Sequence, residues 1–220
     1  MDEQKVAKCI ALLEKEYGVP KPDEVDPVDL LVMTILSQNT SDTNSLRAFA
    51  HLKSAFCSYE MLLAASDEAV ADSIRTGGLA EIKARRIKEA LEKIKQDAGT
   101  ISLSFLAGME MDRAMAYLQS LPGVGPKTAS VVLLFAFGMP FLPVDTHVYR
   151  LSRRLGLVGE DVRPEKAQQI LERIVPVEKY LSLHLNLIKH GRLICRAQGP
   201  KHEECALRSC CSYYLQGQKP

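Results

Sequence analysis

The residues best placed to do chemistry lie in Leu121–Ser130, LPGVGPKTAS, and in Pro143-Val144-Asp145-Thr146-His147. In Leu121-Pro122-Gly123-Val124-Gly125, two glycines permit backbone geometry that other residues avoid and bring amides close to a ligand. Pro126 suits the first turn of a helix, where its missing N–H would go unpaired anyway. The amides at Gly123, Gly125 and the helix start can then converge on one phosphate, helped by the positive end of the helix. Leu121 and Val124 would anchor the turn in the core. Such a hairpin between helices grips nucleic-acid backbone and positions it without reading sequence. An ordinary helix–helix turn containing glycine is the structural alternative.

Lys127 can serve in two ways. As a phosphate ligand it keeps its proton. As a nucleophile it must lose it, which for a lysine with a pKa near 10.4 costs about 4.6 kcal/mol at pH 7. A helix start and partial desolvation both oppose positive charge and favour the neutral amine. Asp145, 18 residues further on, would pull the other way if it lay beside the lysine. It is better cast as stabilising a cationic sugar and handling protons. It is equally a good N-cap for the apolar-periodic run that follows it.

The elements that must position these groups read as helices throughout, with no convincing alternating strand. Val6, Cys9, Ile10, Leu13 and Tyr17 form one stripe, stopped by Gly18 and Pro20. Pro27 opens a second helix that is apolar nearly all round and therefore central. The polar run 37–42 caps a third helix, Thr43–Phe56. Others are predicted at 59–65, 67–75, 80–98, 102–107, 111–120, 126–137, 146–155, 164–175 and 178–190. Gly138, Gly156 and Gly191 fall where helix-ending residues are expected. The expected architecture is all-α, with two helical lobes and a DNA-binding cleft between them. One lobe is 27–139, which holds the hairpin, and the other is 1–26 with 140–220.

Charge and composition set further bounds. The chain has 220 residues and a formal net charge of +1. Residues 1–29 carry −4 and residues 75–95 carry +4, an asymmetry that suits one basic face presented to a polyanion, or simply uneven solvated helix faces. No run of about 18 apolar residues occurs, and the acidic MDEQKVAKC start does not read as a secretory signal, so a cytoplasmic, reducing location is expected. Cys9 and Cys57 then read as buried thiols. The remaining four cysteines crowd between 195 and 211 and need another explanation.

The run LPGVGPKTASVVLLFAFGMPFLPVDTHVYRLSRRLGL resembles the signature of the endonuclease III family, helix-hairpin-helix DNA glycosylases of base-excision repair. LLVMTILSQNTSDTN, GGLAEIKARRI and HGRLIC extend the resemblance over roughly residues 28–211. It implies that Lys127 attacks the sugar C1′ of a flipped nucleotide, expels the base, and forms a Schiff base that undergoes β-elimination. Asp145 matches the family's catalytic acid. Gln38 matches the residue that fills the gap left in the base stack. Leu79 resembles the wedge, with a helix-start staple as its structural alternative. Contacts to double-stranded DNA carrying damaged bases or abasic sites would come from Gln38, Leu79, Leu121, Gly123, Val124, Gly125, Thr128, His147, Arg150 and Arg192. A monomer with no membrane partner is expected.

The family's loop has four cysteines spaced C-x6-C-x2-C-x5-C around a [4Fe–4S] cluster. Here Cys195, Cys205 and Cys211 keep that spacing, but the second position is His202, and Cys210 lies off register. Either His202 or Cys210 completes the cluster's ligands, or three cysteines and a histidine hold structural zinc. Around this loop Arg192, Arg196, Lys201 and Arg208 are candidate phosphate contacts or solubilising charges. The functional expectation is a bifunctional glycosylase and abasic-site lyase acting on damaged pyrimidines. The alternatives are an enzyme for mismatched thymine or uracil or an oxidised purine, or a non-catalytic DNA-binding module.

Overall fold

A computed structural model describes residues 3–217. The first two residues of the acidic start and the last three of the chain lie outside it. Twelve α-helices, short 3-10 turns and no strand are found among the described residues. In chain order they are α1 Glu3–Tyr17, α2 Pro27–Leu36, α3 Asp42–Ala55, α4 Tyr59–Ala64, α5 Asp67–Ser73 and α6 Ala80–Ala98. Then follow α7 Met111–Gln119, α8 Pro126–Phe137, α9 Thr146–Leu155, α10 Pro164–Ile174, α11 Tyr180–Leu193 and α12 Ser212–Leu215.

Local chemistry sets most of these boundaries. Asp26 caps α2 by accepting from the amides of Val28 and Asp29, both at 2.9 Å, and Pro27 fills the first turn. Ser41, Ser58 and Ser66 cap α3, α4 and α5 in the same way. Gly99, Gly138 and Gly156 end α6, α8 and α9 in the left-handed conformation. Gly191 behaves otherwise than its sequence position predicts. It lies inside α11, which runs on to Leu193, and a Cβ there would sit 2.8 Å from His147 Nδ1. The glycine makes room for a neighbouring side chain rather than ending a helix.

Two further expectations are corrected. Residues 102–107 do not form an α-helix; Ser104–Gly108 is a 3-10 turn, because the Ser102 hydroxyl captures the Ser104 amide locally at 3.2 Å. Cys57 is exposed rather than buried, since it falls in the short link after α3.

The chain divides into two compact units, Glu24–Met139 and the segments up to Asp23 and from Pro140 onward. In the first, α2 packs against α3, α6 and α8, and seven of its ten residues are buried. That burial is why its sequence shows no polar face. In the second, α11 packs between α1 and α9. Glu14 on α1 secures one of these contacts, accepting from Ser182 Oγ at 2.5 Å and from Lys179 Nζ at 3.0 Å. The Ser182 hydrogen bond, then Lys179, hold the Glu14 carboxyl below its ordinary pKa.

A depressed carboxylate pKa contributes stability that is present above the unfolded value, near 4.3, and lost as pH falls through the folded value. Glu14→Gln is therefore expected to lower stability to urea by about 1 kcal/mol at pH 7, with the deficit closing below about pH 4. A deficit of equal size at pH 7 and pH 3 would contradict this.

Candidate nucleic-acid interface and metal-ligand loop

Between α7 and α8 the chain turns at Leu121–Gly125, closed by the Val124 amide donating to the Leu121 carbonyl at 3.1 Å. Leu121 and Val124 are buried at 2% and 7% exposure, so any contact they make with a ligand comes from their backbone. Gly123 has φ +78°, and a Cβ there would lie 2.8 Å from Arg86 Cδ and 3.2 Å from Arg86 Cβ. Both the conformation and the close approach of α6 demand glycine.

Gly125 is different. Its φ is −95° and its ψ 178°, ordinary extended backbone, and a Cβ would meet nothing within 4 Å. The special geometry expected of both glycines therefore belongs to Gly123 alone. What a side chain at Gly125 would obstruct is the open space over an exposed residue at the start of α8. Pro126 occupies the first turn there, Lys127 follows half-buried, and Thr128 is buried at 4% exposure.

Two loops of the same unit are fixed to this turn or to each other. Gln38, just beyond α2, donates from Nε2 to the Gly123 carbonyl at 2.9 Å. Leu79, at the start of α6, is 51% exposed and adopts left-handed backbone with φ +51° and ψ +40°. For a non-glycine residue that conformation costs about 1–2 kcal/mol. An exposed leucine held in such backbone is the kind of local strain that marks functional loops.

Beneath it lies a residue that the sequence reading missed. Lys83 is 2% exposed, and its Nζ donates to the Leu36 carbonyl at 2.7 Å and the Gly77 carbonyl at 2.8 Å. It thereby joins the end of α2, two residues before Gln38, to the loop that carries Leu79. Burial pushes its pKa down. The signal was available, since Lys83 falls on the same helical face as the buried Ala80, Ala84, Ile87 and Leu91.

In the other unit Asp145 caps α9, its Oδ1 accepting from the Val148 amide at 2.7 Å. The cap uses one of the carboxylate's two oxygens. His147 and Arg150 follow on α9, with His147 Nδ1 3.1 Å from Arg150 Nη2. That same guanidinium nitrogen donates to the carbonyls of Gly191 and Cys195, each at 2.9 Å. Arg150 thus anchors the start of the cysteine loop, and Arg192 is exposed at the end of α11. Lys201 pairs with Glu204 at 3.0 Å and Arg208 with Glu203 at 2.7 Å, which offsets their charge locally.

Cys195, His202, Cys205 and Cys211 line one recess of about 290 Å³, counting the solvent at its mouth, together with Arg154, Tyr213 and Tyr214. Cys210 does not line it; its Sγ faces Cys9 Sγ at 3.2 Å. The His202 ring lies against Tyr213 and Tyr214, with centroids 6.0 and 5.4 Å away. No group of three or more His, Cys, Asp or Glu side chains among the described residues is disposed to hold a single metal ion. Three thiols and one imidazole thus line the same recess, donor types that serve both iron–sulfur clusters and zinc.

Two groups missed in the sequence support this ring. Arg154 donates to Cys195 Sγ at 3.2 Å and to the carbonyls of Arg196 and Ala197 at 2.7 and 3.0 Å, while its guanidinium lies over the Tyr213 ring. His190, buried, has Nε2 3.3 Å from Cys205 Sγ and Nδ1 2.8 Å from Tyr17 Oη. Burial lowers its pKa to about 4, so the imidazole is neutral at pH 7. Tyr17 Oη and the Cys205 sulfur thus lie at its two ring nitrogens.

A family model for HhH-GPD superfamily base excision DNA repair proteins matches residues 32–177. Endonuclease III of Thermotoga maritima is 36% identical over 191 residues, 87% of this chain and 85% of that protein. An Arabidopsis thaliana relative, provisionally described as a DNA glycosylase, is 37% identical over 179 residues, 81% of this chain but 61% of its own length. The structure of a trapped endonuclease III–DNA covalent intermediate, an estranged-adenine complex, matches with a TM-score of 0.83 at 29% identity and 100% coverage of both chains. The chain belongs to the HhH-GPD superfamily of base excision DNA repair proteins. Within it, the chain falls in the endonuclease III family, among base-excision DNA glycosylases and lyases.

The two hairpin glycines should separate under mutation. Gly123→Ala is expected to lose about 1–2 kcal/mol of stability from its backbone alone, and more from the contact with Arg86. Gly125→Ala should change stability by less than about 0.5 kcal/mol yet weaken binding to duplex DNA. Urea unfolding beside a DNA titration in one buffer checks both. Equal stability losses, or unchanged DNA affinity in Gly125→Ala, would refute the assignment.

Proposed function

We propose that the protein is a bifunctional DNA glycosylase and abasic-site lyase that removes oxidised pyrimidines from double-stranded DNA through a Schiff base on Lys127. The observation that carries this reading is the placement of Lys127 at the second residue of α8, directly after the Leu121–Gly125 turn with its positive-φ Gly123. Nucleophilic attack needs a neutral amine, and the positive end of a helix disfavours a nearby ammonium. The covalent DNA intermediate trapped for the related endonuclease III supports the same chemistry.

In the proposed reaction the Lys127 Nζ lone pair forms a bond to C1′ while the C1′–base bond breaks. The base leaves with the electron pair of the broken C1′–base bond and takes up a proton. Ring opening then gives the protonated imine, loss of a C2′ proton expels the 3′ phosphate, and water releases the lysine. Asp145 carries the negative charge that stabilises the cationic sugar and relays protons. The target base must first leave the stack, at a cost of a few kcal/mol that is least for damaged pairs. Leu79 is the wedge, Gln38 fills the vacated position, and Lys83 fixes the loops that carry them. The backbone at Gly123, Gly125 and Thr128, with Leu121 and Val124 behind it, holds a phosphate; His147 and Arg192 add contacts. The enzyme works as a cytoplasmic monomer. No helix among the described residues is long and apolar enough to cross a membrane.

We further assign Cys195, His202, Cys205 and Cys211 as the ligands of a [4Fe–4S] cluster, with Cys210 outside the set. The cluster's contribution is to hold its loop in shape, and one neutral ligand in place of a thiolate raises its reduction potential. Arg154 donates to Cys195 and His190 lies in hydrogen-bond contact with Cys205, a second layer of the kind that tunes such centres.

Borohydride added to the protein with abasic-site duplex DNA should yield a covalent adduct, absent in Lys127→Ala although that variant still binds. No adduct from tightly bound wild-type protein would remove the lyase assignment. A panel of duplexes carrying oxidised pyrimidines, oxidised purines or mismatched thymine then identifies the base released. For the metal, His202→Ala should lose iron and change the visible spectrum, whereas Cys210→Ser should do neither. Full iron content with unchanged spectra in His202→Ala would rule out the imidazole ligand.

A further inference from the structure

Two thiols outside the ligand ring meet in the interior. Cys9 lies on the buried stripe of α1 with 0% exposure, and Cys210, 6% exposed, sits one residue before the ligand position Cys211. Their sulfurs are 3.2 Å apart although the residues are 201 positions apart in the chain. Cys210 Sγ also lies 3.3 Å from the Leu207 carbonyl, which turns it away from the recess. Neither thiol has a part in base excision or in the ligand set assigned above. Buried free cysteines are common as small apolar residues. Two brought sulfur to sulfur across the junction of a helix and a metal loop can be joined with little backbone movement.

We propose that Cys9 and Cys210 form a disulfide under oxidation by hydrogen peroxide or another two-electron thiol oxidant, a modification site that ties α1 to the 195–211 loop. Cys210, the one with residual exposure, meets the oxidant first. Its sulfur attacks one peroxide oxygen, the O–O bond breaks, and after proton transfer a sulfenic acid and one water result. The Cys9 sulfur then attacks the Cys210 sulfur, the S–O bond breaks, and the second water leaves with the Cys9 proton. Two thiols are oxidised by two electrons in all and one peroxide is reduced to two waters. The bond closes a loop of nearly the whole chain, so it limits the unfolded state strongly and the native state little.

The test uses the iron-loaded protein. Wild-type protein is treated with a small excess of hydrogen peroxide, its remaining thiols are blocked, and the digest is mapped by mass spectrometry without reduction. The expected product is a Cys9–Cys210 linked peptide, formed while iron content holds and reversed by dithiothreitol. Thermal unfolding of the oxidised protein should shift up by several degrees, and Cys9→Ala and Cys210→Ser should lack that shift. Recovery of Cys9 and Cys210 as free or singly oxidised residues would overturn the proposal. So would Cys210 linked to any other cysteine, including the exposed Cys57. The wild-type map decides the matter even if a variant folds poorly, and it does not depend on the glycosylase reading.

Discussion

The turn at Gly123 is the constraint around which the 24–139 unit is arranged. Its positive φ lets the chain reverse between α7 and α8 in six residues, and its missing Cβ admits Arg86 of α6 to within 2.8 Å of where that atom would be. Its carbonyl receives Gln38, which fixes the segment after α2. The end of α2 is in turn held by Lys83, whose second bond fixes the loop before Leu79. Three segments far apart in sequence thus share one short network of main-chain acceptors. A carbonyl buried without a donor is costly, so each of these bonds is enforced by the burial that surrounds it.

The 195–211 loop in the other unit is held by a different logic. It has little regular structure of its own, and its carbonyls at Cys195, Arg196 and Ala197 are met by Arg150 and Arg154 reaching across from α9. Guanidinium groups suit this because several donors in one plane satisfy several acceptors at once. The thiols and the imidazole that line the recess then project from a frame that is already tied down. The His202 ring at the recess is packed against Tyr213 and Tyr214.

Helix capping explains why the fold was so readable. Asp26, Ser41, Ser58, Ser66 and Asp145 each precede an apolar-periodic run, and each accepts an amide of the first turn. Such signals are local, so sequence carries them. The misreadings involve contacts between distant residues. Gly191 looked like a helix end because its real reason, the His147 ring, lies 44 positions away. Gly125 looked conformationally special because Gly123 is, and only the backbone angles separate them. Lys83 was counted among the exposed basic residues although the spacing of its apolar neighbours places it inward. Arg154 gave no local sign at all, since what it serves are carbonyls more than 40 residues away.

That reassignment of charge bears on how a chain of net charge +1 can serve a polyanion. Formal charge counts Lys83, Arg150 and Arg154 as available, but Lys83 is buried against two carbonyls, and the two arginines donate to main-chain carbonyls of their own unit. Lys201 and Arg208 are offset by glutamates beside them. Within the basic segment 75–95, Lys83 is thus turned inward and not presented at the surface. An attraction that does not appear in the count remains, in the oriented amides and the positive end of α8. It acts at short range and fixes position, whereas a dense basic patch acts at long range and is strongly screened by salt. A near-neutral chain with a glycine turn of this kind is thus better suited to registering a phosphate at short range than to holding DNA by charge alone.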